Sequence, residues 1–345
     1  MNSYKEQELL IVGCGKMGLS HLVLFTPYLG KENLIVVEKK FLMRCVLFLL
    51  GYKTLSSLPK NTEKFSNLNG VLIATPTNSH YKIADWAISN KLNIFVEKPL
   101  TLDINQSRDL MLKAKKANVY DQVGFVMRFV PAFADLKSII ISEKLGRVKN
   151  YIASMRGNVI TPNTSSASWQ TNRDQGGGCL NEFGPHLLDL CRFLFNDINA
   201  IKNVKTGKIY SGNADDWVAC SLEHNNGPIG KLDLNWCDES LRKSVVKFTI
   251  EFDEATLYVD SSGISLLDKN TEMNLNDIIQ SVSEREYNVD FYLRGEEFSL
   301  QAEAFMHNSN YNIKAKKSHT IKSTANFLDG LAVDELINNI ESNKK

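Results

Sequence analysis

Three side chains that can do acid–base chemistry lie close together in NEFGPHLLDL, where Glu182 precedes His186 by four positions and Asp189 follows it by three. On a helix these spacings place all three on one broad face. An imidazole there can take a hydroxyl proton and return it in the reverse direction, because its ordinary pKa lies near neutrality. Glu182 can hold a substrate or orient the ring, and Asp189 suits a position behind the imidazole or in helix packing. The alternative is a half-buried structural histidine bonded to a carboxylate. Three glycines, Gly176 to Gly178, lead into this stretch and let the backbone come close to a ligand or simply turn. Far upstream, Lys98 lies between Glu97 and Pro99 at the end of an apolar run. Proline fixes the local path, so the ammonium has a rigid origin from which to bind a hydroxyl or carbonyl oxygen. A lysine after a strand otherwise simply faces solvent.

The elements that must position these groups begin with LLIV at 9–12, a short apolar run stopped by glycine and read as a buried strand. Gly13, Gly15 and Gly18 then form G-x-G-x-x-G at a strand–helix junction, with Cys14, Lys16 and Met17 between them. The first glycine permits a tight turn, the second lets a pyrophosphate approach the backbone, and the third lets helix and strand pack closely. Glu38 ends the next apolar run, LIVV, and lies 20 positions past Gly18. An acid there accepts hydrogen bonds from ribose hydroxyls and repels a 2′-phosphate, which favours NAD. Lys39 and Lys40 leave NADP possible. After a third strand, GVLIAT, the loop carries Thr75, Pro76, Asn78 and His80. Thr75, Pro76 and Asn78 suit a rigid border to the cofactor, and His80 reads either as an exposed ligand contact or as a cap on the next helix.

The stretch FLMRCVLFLL at 41–50 contains Arg44 and is about half the length needed to span a bilayer. It reads as a core-facing helix stopped by Gly51. Asp103 is positioned to cap a helix over DINQSRDLMLKAKKA. The strand–helix alternation continues to about residue 125 and defines a parallel sheet covered by helices on both faces. From about 201 to 299 short alternating strands and turns dominate, with a hairpin near Asn225 to Gly230, which predicts an antiparallel or mixed sheet with helices on one face. The fold class is therefore α/β, with an N-terminal Rossmann dinucleotide-binding domain over 1–125. A C-terminal α/β domain with an open, predominantly antiparallel sheet spans 126–325, and a helix over 326–345 returns to the first domain.

Across 345 residues, 40 basic and 39 acidic side chains leave a net charge of +1. That balance gives no support for bulk attraction to nucleic acid or an anionic membrane. The six cysteines are scattered without a CxxC pair, as expected for reduced thiols in a cytoplasmic protein. No cluster of cysteine and histidine completes a metal site, so no metal is expected.

The motifs VGCGKMG, ATPTNSH, VEKPL, GFVMRF and GGGCLNEFGPHLLDL together resemble the glucose–fructose oxidoreductase, inositol dehydrogenase and MocA-like (Gfo/Idh/MocA) family over nearly the whole chain. The resemblance implies a nicotinamide cofactor, a sugar, cyclitol or sugar-nucleotide substrate, and a homodimer or homotetramer built on the open sheet. It implies that Lys98 is the active lysine, that the Lys98–Pro99 bond is cis, and that His186 is the catalytic histidine. Glu182 departs from the aspartate usual at its position, keeping the charge on a longer side chain. Arg128, Trp169 and Arg173 fall near segments that border the substrate pocket in similar enzymes. The expected reaction moves a hydride between nicotinamide and a hydroxyl or ketone carbon. Two other functions fit the same fold: a dinucleotide-sensing regulator without catalysis, and an enzyme that uses NAD transiently with no net redox change.

Overall fold

The computed structural model describes residues 7–164, 168–173, 176–225, 227–269, 274–282, 293–311 and 323–344. The chain divides into two compact units, one of Met1–Phe129 with Glu286–Asp334 and one of Val130–Arg285 with Glu335–Lys345.

In the first unit, β1 (Glu8–Val12), β2 (Leu34–Val37), β3 (Lys53–Leu55), β4 (Leu68–Ile73), β5 (Asn93–Val96) and β6 (Asp121–Val123) alternate with α1 (Lys16–Leu29), α2 (Phe41–Leu49), α3 (His80–Ser89) and α4 (Ile104–Ala117). All the strands pair in parallel in the order β3-β2-β1-β4-β5-β6. β1 and β2 are buried at every position, so an unbroken apolar run is the chemically correct sequence for them. Short, half-buried β3 has no such run and gave no strand signal. Asp103 caps α4 by accepting the Asn105 N–H at 2.9 Å, and Asn118 ends it in the left-handed conformation.

The expectation for α2 is corrected. Leu47 is its one buried residue, whereas Phe41, Leu42, Phe48 and Leu49 are 72%, 77%, 69% and 83% exposed. The helix is apolar almost all round, so composition could not tell the covered side from the bare one.

In the second unit, α5 (Pro131–Ser142), β7 (Val148–Arg156), α6 (Cys179–Phe195), β8 (Ile198–Gly207), β9 (Trp217–His224), β10 (Ile229–Asn235), β11 (Val245–Phe252), β12 (Ala255–Asp260), β13 (Gly263–Lys269) and α7 (Leu275–Val282) follow in turn. The seven-stranded sheet runs β13-β12-β11-β7-β10-β9-β8 and is antiparallel except where β7 and β10 pair in parallel. Burial alternates residue by residue along β9, β11 and β12, as a sheet covered on one face requires. Helices α5 and α6 supply that cover.

Two helices complete the chain, α8 (Glu296–Asn308) and α9 (Phe327–Ser342). The sequence reading placed 126–325 in one domain, but α8 lies inside that range and belongs to the first unit. Its Ala302, Phe305 and Met306 share a core with Leu9, Phe25, Leu72 and Phe95. Phe305 meets the edges of Phe25 and Phe95 at ring distances of 6.3 and 5.7 Å, and each such pair adds about 0.5–1.5 kcal/mol beyond area burial. The first half of α9 is also held in this unit. The Phe327 N–H donates to Asp121 Oδ1 at 2.5 Å, and Ser107 Oγ donates to Asp334 Oδ2 at 2.6 Å. Residues from Glu335 onward belong to the second unit.

Candidate active site

The first constellation lies at the carboxyl ends of the parallel strands. Gly13 has φ +88°, and its N–H donates to the Val37 carbonyl at 2.9 Å. A Cβ on Gly18 would lie 1.9 Å from the Gly13 carbonyl oxygen, so turn and helix touch where only glycine fits. A Cβ on Gly15 would meet nothing within 4 Å. Gly15 is the N-cap of α1 and gives no side-chain cap, so the first turn at Lys16, Met17 and Gly18 is an uncapped helix N-terminus beside open space. Such a terminus suits an anion.

Glu38, just beyond β2, braces this turn. Its Oε2 accepts the Cys14 N–H at 2.9 Å, and its Oε1 accepts the Lys40 N–H at 2.8 Å. The Arg44 guanidinium donates to the Glu38 and Lys39 carbonyls, both at 2.8 Å. Burial and the nearby Glu38 charge push the Cys14 thiol up to about 11, so it stays protonated and unreactive near neutrality. A glycine cradle, a helix terminus and an acid at the ribose position fit a dinucleotide.

After β4, Thr75 is half-buried and its Oγ1 accepts from Ser79 Oγ at 2.7 Å, while Pro76 and Asn78 are exposed. Of the two readings of His80, the exposed one does not hold, because the side chain is 1% exposed. Its ring spans two loops, with Nε2 2.9 Å from the Thr75 carbonyl oxygen and Nδ1 3.0 Å from that of Pro99. Burial lowers the pKa of this imidazole, against the two carbonyl contacts and the Glu97 charge, which favour its protonated form. Its task is to join the Thr75 loop to the Pro99 loop. The Lys98–Pro99 peptide bond is cis, as the resemblance implied. Lys98 is half-buried beside Glu97.

Glu97 brings in a residue that the sequence reading missed. His21 Nε2 lies 2.6 Å from Glu97 Oε1. Burial alone would raise the Glu97 carboxyl, but the His21 bond and charge, with Lys98, outweigh it and hold the carboxyl below its ordinary range. A signal was present: a lone histidine on the apolar face of SHLVLF must find a buried partner.

The second constellation belongs to the second unit. Gly176 and Gly178 have φ +83° and +111°. The glycine run turns back on the preceding loop rather than opening toward a ligand. The Gly176, Gly177 and Gly178 N–H groups donate to the carbonyls of Arg173, Asn172 and Gln170 at 2.9–3.0 Å. The Cys179 N–H then donates to the Asp215 carbonyl at 2.8 Å, which fixes where α6 starts. Along α6 nearly every residue is buried, and the half-buried positions include Glu182 and His186. The two share one accessible stripe one turn apart. Asp189 is fully buried on the inner side.

The other expected contacts are placed differently. Arg128 is buried, with its guanidinium 3.3 Å from Asp329 and donating to the Thr324 carbonyl at 3.3 Å. These contacts anchor the start of α9. Arg173 is exposed and ion-paired with Glu341 of α9. Trp169 opens a 3-10 turn, Trp169–Thr171, and its side chain lies outside the described residues. Among the described residues no group of three His, Cys, Asp or Glu side chains could hold a metal, and no helix is long and apolar enough to cross a membrane.

A parallel six-stranded sheet with a glycine turn, followed by a mixed seven-stranded sheet packed against the helix of Glu182 and His186, defines a two-unit dinucleotide-type protein. Residues 8–125 match the family model described as "Oxidoreductase family, NAD-binding Rossmann fold", and residues 133–258 match the "GFO/IDH/MocA C-terminal domain". The chain belongs to the Gfo/Idh/MocA oxidoreductase family. It is 33% identical over 139 residues to scyllo-inositol 2-dehydrogenase (NAD(+)) of Bacillus subtilis, an alignment covering 40% of this chain and 41% of that protein. The chain thus spans less than half the length of the first curated relatives it matches. Levoglucosan dehydrogenase in complex with NADH shares the fold with a TM-score of 0.75 at 17% identity, covering 97% of this chain and 96% of that one. The WlbA dehydrogenase of Bordetella pertussis, in complex with NADH and UDP-GlcNAcA, does so with a TM-score of 0.78 at 15% identity, covering 98% and 95%.

Proposed function

We propose that the protein is an NAD-preferring dehydrogenase acting on a secondary hydroxyl of a sugar, cyclitol or sugar nucleotide. The observation that carries this reading is the accessible Glu182–His186 stripe on an otherwise buried helix, in a chain that also builds the glycine turn braced by Glu38. The names of the relatives support the substrate class: one acts on scyllo-inositol, and one was solved with a uridine-diphosphate sugar.

The pyrophosphate would sit at the uncapped start of α1 against Gly15, with Glu38 on the adenosine ribose. The bound nicotinamide supplies the hydride acceptor or donor. His186 takes the hydroxyl proton during oxidation and returns it during reduction. Its Nδ1 is buried, which supports Nε2 as the nitrogen that exchanges the proton. The Lys98 ammonium stabilises the negative charge that develops on the same oxygen, and Glu182 orients the ring or the imidazole. The open face of the seven-stranded sheet exposes Ile152 and Ile229 and would pair subunits into a cytoplasmic homodimer or homotetramer.

The test is a screen of the protein with NAD and NADP against inositols, free sugars and sugar nucleotides, reading cofactor absorbance and product mass together. Lys98→Ala and His186→Ala are each expected to lower kcat by about 10²–10⁴-fold. Wild-type turnover in both variants would remove the assigned roles. Carbon-specific isotope exchange without net absorbance change would instead identify transient use of NAD.

A further inference from the structure

The Glu97 side chain stands immediately before the proposed active lysine and is gripped from two directions. Its Oε1 lies 2.6 Å from His21 Nε2, and its Oε2 accepts the Lys98 N–H at 3.3 Å. His21 is 1% exposed on α1, with the edge of its ring toward Phe95 at a ring distance of 5.2 Å. On the far side, a Cβ at Gly124 would lie 3.0 Å from Glu97 Oε2, so the absence of a side chain there makes room for the carboxylate. The strand end beneath is secured by the Glu97 N–H donating to the Ile73 carbonyl at 2.9 Å and the Gly124 N–H donating to that of Val96 at 2.7 Å.

We propose that His21 is a positioning residue: it orients the Glu97 carboxylate, which in turn fixes the backbone and the charge around Lys98. The proposal rests on the role given to Lys98 above. A buried histidine–carboxylate pair adds little stability that well-packed apolar residues could not supply. This pair, however, spends its second oxygen on the N–H of Lys98, and its carboxylate acts electrostatically on the Lys98 ammonium. It also begins on the helix that opens at the glycine turn, so the cofactor seat and the lysine share one rigid support. The titratable groups that act on the Glu97 carboxylate among the described residues are His21 from α1, His80 at the start of α3, and Lys98.

The test compares His21→Leu, His21→Gln and Glu97→Gln with Lys98→Ala on the substrate found in the screen. It reads kcat, KM, NADH binding by fluorescence, thermal midpoint, and the rate at which Lys98 is reductively methylated, measured by peptide mass. In His21→Leu, kcat should fall at least tenfold while NADH affinity stays within twofold. His21→Gln, whose amide N–H replaces the imidazole donor, should recover kcat to within threefold of wild type. In Glu97→Gln, the carboxylate that holds the Lys98 backbone and ammonium is lost. Lys98 should then label at least threefold faster, and kcat should fall at least tenfold. Wild-type kcat in His21→Leu overturns the proposal. So does an equal loss of kcat, NADH affinity and thermal midpoint in both His21 variants, which would mark a purely structural role. Should His21→Leu fail to fold, Glu97→Gln decides, and an unchanged labelling rate and kcat overturn the idea. Wild-type activity in Lys98→Ala removes the lysine assignment itself. An inactive Lys98→Ala beside an unaffected His21→Leu removes this proposal alone.

Discussion

The Glu38 carboxylate accepts the N–H of Cys14, the second residue of the glycine turn, at 2.9 Å. One side chain therefore shapes the turn and places a negative charge where a ribose would lie. A 2′-phosphate brought there would meet that charge, although exposed Lys39 and Lys40 stand beside it. Glu38→Gln keeps a hydrogen-bond acceptor and removes the repulsion. It is expected to shift the ratio of kcat/KM for NAD over NADP by at least about tenfold toward NADP. Initial rates with the two cofactors measure this; an unchanged ratio would show that the carboxylate does not choose between them.

The glycines at 15 and 18 should separate binding from folding. Gly15 has φ −73° and open space at its Cβ position, so Gly15→Ala should fold with an unchanged thermal midpoint yet weaken NADH binding at least about tenfold. At Gly18 the same methyl would press on the Gly13 carbonyl oxygen. Gly18→Ala should therefore destabilise the protein by about 2 kcal/mol or more. Thermal unfolding without cofactor, followed by fluorescence titration, distinguishes the two effects.

Asp121 carries a pH signature. Burial raises its carboxyl to about 6, with a further push from Asp329, against the favourable Phe327 N–H bond. An acid whose folded pKa is raised binds more protons in the folded than in the unfolded state between its ordinary value and about pH 6. Stability therefore falls as pH rises through that window, and the full cost stands above it. Asp121→Asn keeps the acceptor for Phe327 and removes the charge. It is expected to gain about 1–3 kcal/mol at pH 7.5 and almost nothing below pH 4. Thermal midpoints at the two pH values check the sign: an equal gain at both would remove the carboxyl's ionisation as the cause.

Helix α2 offers a contrast between neighbouring leucines. Leu47 is 1% exposed and Leu49 is 83% exposed. Leu47→Ala should cost about 2–5 kcal/mol, whereas Leu49→Ser should stay within about 0.5 kcal/mol of wild type. Denaturant midpoints would show the reverse ranking if the outer side of the helix were in fact the packed one.

The parallel sheet, the glycine turn and the helical stripe of Glu182 and His186 were legible from local sequence. Each rests on a local rule: doubly covered strands must be continuously apolar, tight turns need residues without a Cβ, and residues four apart on a helix share a face. Gly13, Glu38 and His186 were therefore legible one stretch at a time. Packing set what depends on residues far apart in the chain. It buried His80 between two loop carbonyls, gave Glu97 a partner 76 positions away in His21, and engaged Arg128 with Asp329. It also drew α8 into the first core through Phe305 and left the outer side of α2 bare. A side chain's type states what it can bond or bury, but whether a partner or a covering surface arrives is set by packing, which no local period encodes.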